Sequence, residues 1–128
     1  MNRLLILLKS IQIIKNWYIL PLVYFKIFRK KYYVLKLKNG KKIKLRNNST
    51  DIHTFTNIWI IEEYLEIENG KNRTIIDIGA HIGLFSIYAL KCNPKEIIAF
   101  EPIKENYDLL KENILLNKIE NIKCYNVA

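Results

Sequence analysis

Two short apolar runs, each bringing a carboxylate to its end, constrain the fold of this chain more than any other feature. Residues Thr74 to Gly83 read TIIDIGAHIG, an apolar run that ends in an acid, Asp77, and passes into a turn holding Gly79, Ala80 and Gly83. Eighteen residues past Gly83, a second run, Glu96-Ile97-Ile98-Ala99-Phe100, delivers Glu101. Strand, glycine turn, helix, strand, acid is the order in which a doubly wound parallel sheet builds a crevice at its carboxyl edge. A chain that leaves a buried strand and enters a helix within a few residues needs positive φ or very close backbone approach, and these small residues supply both.

The spacing also bears on what the crevice would hold. A dinucleotide fingerprint, G-x-G-x-x-G, brings a pyrophosphate to the helix N-terminus. Here the spacing is G-A-x-x-G, and Asp77 stands two residues before the first glycine. A carboxylate there repels a pyrophosphate and favours a cationic cofactor end, such as the ammonium and sulfonium of S-adenosyl-L-methionine. Glu101, at the next strand tip, is expected to accept hydrogen bonds from both hydroxyls of a ribose. The expected cofactor-binding set is therefore Asp77, Gly79, Ala80, His81, Gly83 and Glu101, with no metal. No catalytic residue is assigned, although His81 has the chemistry of a general base.

At these residues the chain resembles a known family. DIGAHIG at Asp77 to Gly83, AFEP at Ala99 to Pro102, NYDLLKENILLNKIENI at Asn106 to Ile122, and LRNNSTDIHTFTNIWIIEEYL at Leu45 to Leu65 are similar, in that order, to the FkbM family of class I S-adenosylmethionine-dependent methyltransferases. The resemblance implies that Asp77, Gly79 and Ala80 face the methionine moiety, that Glu101 holds the ribose, and that His81 shapes the pocket rather than acting as a base. It also implies O-methylation of a sugar-like, glycan or small-molecule hydroxyl acceptor.

At 128 residues and 50% hydrophobic, the chain can fill one core. The fold expected is α/β: a Rossmann-like parallel sheet, first three strands only, in the order 3-2-1, preceded by N-terminal helices and a β-hairpin. Residues 1–50 are read as a basic extension and 51–128 as a partial methyltransferase domain, its third strand at Cys124 to Ala128. Since the resembled fold has seven strands, the sequence reads as a truncated or incomplete domain, inactive without a second polypeptide. Its central strand, Thr74 to Ile78, would be left as an open edge, so self-association is expected.

Charge is uneven. Residues 1–50 hold 13 Lys and Arg and no acid, whereas residues 51–128 hold 8 against 12 acids, leaving +9 overall. Leu4, Leu8, Ile11 and Ile14 fall on one side of a helix ringed by Arg3, Lys9 and Lys15, with Trp17 and Tyr18 as amphipathic anchors. No apolar run reaches the ~20 residues that span a bilayer. Peripheral contact of residues 1–46 with an anionic membrane is one reading, a helical pair on the core or a dimer mate the other. Cys92 and Cys124 show neither metal nor disulfide spacing and read as reduced, cytoplasmic residues.

Parity fixes the register of a hairpin over Tyr32 to Arg46. A three-residue loop, Lys38-Asn39-Gly40, pairs Leu35 with Ile43 and Tyr33 with Leu45 and leaves Lys36, Lys42 and Lys44 on the other face. Ser49, Thr50 or Asp51 is expected to cap a helix reaching about Leu65. Further helices are expected over Ile82 to Lys91 and from Pro102 to near Asn117. His53 and Tyr64 read as structural, and Asn113 and Asn117 as helix-end hydrogen bonders. A nucleic-acid module and an inactive interaction fragment are the competing functions. The first is disfavoured because no aromatic-basic motif accompanies the lysines.

Overall fold

A computed structural model describes residues 3–62 and 69–127. They form two compact units, Met1–Glu62 and Glu63–Ala128.

The first unit contains α1 (Arg3–Ile13), α2 (Ile19–Tyr24), the hairpin strands β1 (Tyr32–Lys36) and β2 (Lys42–Arg46), and α3 (Asp51–Phe55). The hairpin has the register parity demands, with Leu35 opposite Ile43 and Tyr33 opposite Leu45. Gly40 takes φ +89° in the loop, where only glycine is unstrained. Tyr33, Leu35, Leu37, Ile43 and Leu45 are buried on one face, while Lys36 and Lys42 are exposed on the other and Lys44 is half-buried, its Nζ 4.5 Å from the Tyr32 ring centroid.

Three expectations are corrected in this unit. Ile14 does not continue the stripe of Leu4, Leu8 and Ile11: it is 1% exposed and forms a β-bridge with Leu37. The chain leaving α1 therefore passes beside the hairpin through a single antiparallel bridge, with Lys15 N donating to Lys36 O at 2.7 Å and Asn16 Nδ2 to Val34 O at 2.9 Å. Asp51 is not a cap. Fully buried, it accepts from the backbone N, Nε and Nη2 of Arg46 at 2.9, 2.9 and 2.8 Å, and the Thr50 side chain makes no capping bond. Nor does the helix run on regularly to Leu65. After Phe55 it widens into a π-helical turn, Thr56–Ile60, where Ile61 N donates to Thr56 O at 2.9 Å and the Thr56 hydroxyl bonds back to Ile52 O. Residues 63–66, with Tyr64, lie outside the described residues.

The second unit is β3 (Thr74–Ile78), α4 (Leu84–Ala89), β4 (Glu96–Phe100), α5 (Lys104–Leu116) and β5 (Ile122–Tyr125). All three strands are parallel, in the order β3-β4-β5, which is the order 3-2-1 expected of the first strands of a Rossmann-like sheet. Pairing aligns Asp77, Ala99 and Cys124 on one face and Ile78, Phe100 and Tyr125 on the other. Asp77, Ile97, Ala99 and Ile122 are buried, whereas Ile76 and Ile78 of β3 are 61% and 81% exposed. The helix expected from Ile82 begins at Leu84 and gives way to a 3₁₀ turn at Leu90–Cys92. The third strand lies at Ile122–Tyr125 rather than Cys124 to Ala128, because Asn126 turns out of the sheet to cap the end of β4. No helix among the described residues is long and apolar enough to cross a membrane.

Candidate functional site

The two acids singled out by sequence sit at the carboxyl ends of neighbouring strands, and both are buried, Asp77 at 8% and Glu101 at 4% exposure. Between them the turn after β3 folds back onto β4: Gly79 N and Ala80 N both donate to Phe100 O at 2.9 Å. Gly79 and Gly83 take φ +78° and +85°, and His81 between them +52°. The two glycines serve different ends. A Cβ on Gly83 would meet Leu110 Cδ1 at 2.4 Å, so glycine there permits close approach of α5. A Cβ on Gly79 would meet nothing within 4 Å, so the backbone there faces open space that a ligand can fill.

Asp77 is held by the buried hydroxyl of Ser86, which donates to Oδ2 at 2.6 Å. Burial pushes the Asp77 carboxyl above the usual carboxylate range; the Ser86 bond pulls it back and the nearby Glu101 charge adds to the rise.

Glu101 is organised by three donors. His81 N reaches Oε2 at 2.7 Å, while Ile103 N and Asn106 Nδ2 reach Oε1 at 2.8 and 3.3 Å. An ionised carboxylate offers about four lone-pair sites, so three are taken and one, on Oε2, is left for a ligand. Asn106 makes the longest of the three bonds, at 3.3 Å.

The structure thus brings together Asp77, Gly79, Ala80, His81, Gly83 and Glu101, with Ala80 buried and His81 half-buried. Two supporting residues escaped the sequence reading, Ser86 and Asn106, which hold the acids, and Asn113 takes a partner the sequence did not show, its Nδ2 donating to Ile82 O at 3.0 Å from the last turn of α5. Asn113 is fully buried, and it fastens the glycine turn rather than the helix end; Asn117, by contrast, donates to Asn113 O within the same helix, as expected. The only signal available in the sequence was polarity at inward positions of an otherwise apolar helix face. An open cleft of about 350 Å³ between α5 and β5, lined by Lys111, Ile114, Lys118 and Cys124 among others, shares no residue with this constellation. Among the described residues no group of His, Cys, Asp and Glu could hold a metal ion.

No protein-family profile matches the chain. Over 48 residues, 37% of its length, the chain is 49% identical to methyltransferase sdnD of Sordaria araneosa, of which it spans 18%. Among solved structures it is similar to the SAM-dependent methyltransferase from Agrobacterium tumefaciens, with TM-score 0.58 and 17% identity over 77% of this chain and 33% of that one. M. jannaschii TYW2 in complex with AdoMet gives 0.54 and 24% over 76% and 43%, and aTrm5 in its complex with tRNALeu gives 0.58 and 24% over 78% and 29%. The chain therefore spans less than half of each of these proteins. What the chain carries is the class I methyltransferase fold, and 48 of its residues are homologous with a methyltransferase.

Proposed function

We propose that the chain binds S-adenosylmethionine at the carboxyl edge of β3 and β4 and serves FkbM-type methyl transfer to a sugar-like or small hydroxyl acceptor in the cytoplasm. The observation that carries this reading is the pairing of two buried, hydrogen-bonded carboxylates across a glycine turn whose backbone faces open space. When bound, the cofactor supplies a methyl group already activated by its sulfonium, so the protein's part is mainly to bind and orient. Asp77, fixed by Ser86, offers its remaining oxygen to the cationic amino-acid end. Glu101 receives a ribose hydroxyl on Oε2, and Gly79 lets the ligand approach the backbone. The likeness to aTrm5 in complex with tRNALeu supports a second reading, in which an RNA is the acceptor.

Calorimetry with S-adenosylhomocysteine and with NAD tests the cofactor. Binding of the former and silence from the latter is expected, and tighter binding of NAD would overturn the assignment. Transfer of a labelled methyl group from S-adenosylmethionine, offered tRNA and a panel of hydroxylated sugars in parallel, then separates the two acceptors.

A further inference from the structure

We propose that the N-terminal unit docks on an anionic lipid bilayer through the outward face of α1 and the tip after α2. Helix α1 is apolar nearly all round, and the fold uses only part of that surface. Ser10 and Ile14 turn inward, 5% and 1% exposed, while Leu4 and Leu8 remain 65% and 50% exposed. Leu8 and Ser10 lie about 200° apart round the helix, so the exposed leucines face away from the core.

A second element carries the same chemistry. After α2, Lys26 takes φ +56° with its N donating to Val23 O, and the sharp turn presents Tyr24, Phe25 and Ile27 at 72%, 68% and 60% exposure. Lys26, Arg29, Lys30 and Lys31 stand exposed beside them. The tip is held firmly. Asn47 Nδ2 donates to Phe28 O and Lys30 O at 2.8 and 3.1 Å, Asn47 N donates to Lys31 O, and the Phe28 ring stands edge-on to buried Tyr33 at 5.8 Å.

Charge complementarity selects the occupant. Residues 1–50 contain no Asp or Glu to oppose an anionic surface. Aromatic and aliphatic groups beside lysines suit the boundary between headgroups and acyl chains, where the rings and leucines enter and the cations stay with phosphate. A nucleic acid would meet leucines on α1, which offer neither flat stacking faces nor donors. Contact is peripheral, since no described helix can span.

The test is cosedimentation of the full chain with vesicles of phosphatidylcholine alone and of phosphatidylcholine mixed with phosphatidylglycerol, at low and high salt. Binding to the mixed vesicles alone is expected, weakened by salt and accompanied by a blue shift of tryptophan emission. Arg29→Gln and Lys30→Gln should each weaken it about fivefold. Leu8→Ser with Phe25→Ser should abolish the blue shift while leaving the circular-dichroism melt unchanged, and Lys118→Gln in the second unit should change nothing. Absence of vesicle binding would overturn the proposal, as would binding indifferent to these variants. So would tRNA binding lost in the same variants, or a change in the free chain's sedimentation mass with vesicle binding intact, which would assign the face to RNA or to a second copy.

Discussion

Replacing Glu101 with Gln exchanges one oxygen for an amide nitrogen at nearly constant size, and the donors around it determine the cost. The Gln oxygen can stay with Ile103 N and Asn106 Nδ2, which sets its NH₂ against the His81 N–H, donor facing donor. The reverse orientation opposes two donors and costs more. A buried donor left without its acceptor costs about 1–3 kcal/mol. In a unit of this size each kcal/mol lowers Tm by roughly 4–8 °C, so a fall of roughly 4–24 °C is expected for the second unit. The lone pair on Oε2 that we propose meets the ligand is lost as well. Binding of S-adenosylhomocysteine should weaken by about 1.5–3 kcal/mol, or about 10- to 150-fold. Scanning calorimetry without ligand reads the first effect and titration calorimetry on folded protein the second. An unchanged melt would refute the hydrogen-bond network, and a lowered melt with unaltered affinity would remove Glu101 from the binding surface.

The two glycines should separate in the same pair of assays. Gly83→Ala adds a clash with Leu110 to left-handed strain and should cost about 2–4 kcal/mol of stability, whereas Gly79→Ala bears the strain alone, about 1–2 kcal/mol, yet loses most of its ligand affinity; equal melts would contradict the close approach of α5. Because burial raises the Asp77 pKa in the folded chain, the contribution of this group to stability is greatest in acid and declines as pH rises from the ordinary carboxylate value through the raised one. Asp77→Asn should therefore melt above the native chain near neutral pH and no higher in acid, while binding the cofactor more weakly; parallel Tm curves across pH would refute this. Asp51→Ala removes the carboxylate that accepts three bonds from Arg46 and should cost about 1.5–3 kcal/mol, visible as a lowered melt of the first unit; a shift within a few tenths would mean that the pair is solvated.

How far these elements were legible depends on what a linear pattern encodes. Alternation and parity are local, so the hairpin register over Tyr32 to Arg46 and the parallel strands at Thr74 and Glu96 could be read directly. The glycine turn with its flanking acids was legible for the same reason, since strand, turn and helix succeed one another along the chain. The partner that a polar side chain would find among distant backbone groups could not be read. Asp51 carried the composition of a cap and instead found Arg46, five residues back, while Asn113 reached the carbonyl of Ile82 across 31 residues. Ile14 fitted the outer stripe of α1 by period alone, but the sequence does not show that the chain leaves the helix there to bridge Leu37.

The bond from Asn113 to Ile82 sets an order of assembly. The glycine turn precedes α5 in the chain, yet its shape depends on later parts: Phe100 O holds Gly79 and Ala80, Leu110 lies against Gly83, and Asn113 fixes Ile82. A ribosome that has released only the turn and β4 has therefore made a loop that Phe100 holds on one side and that still lacks α5 on the other. The glycine turn is a late product of synthesis, complete only when the last turn of α5 has docked. Amide protons of Gly79 to Gly83 should then exchange in step with those of α5 rather than with those of β3. Early protection of the turn, before α5 forms, would show that the loop shapes itself.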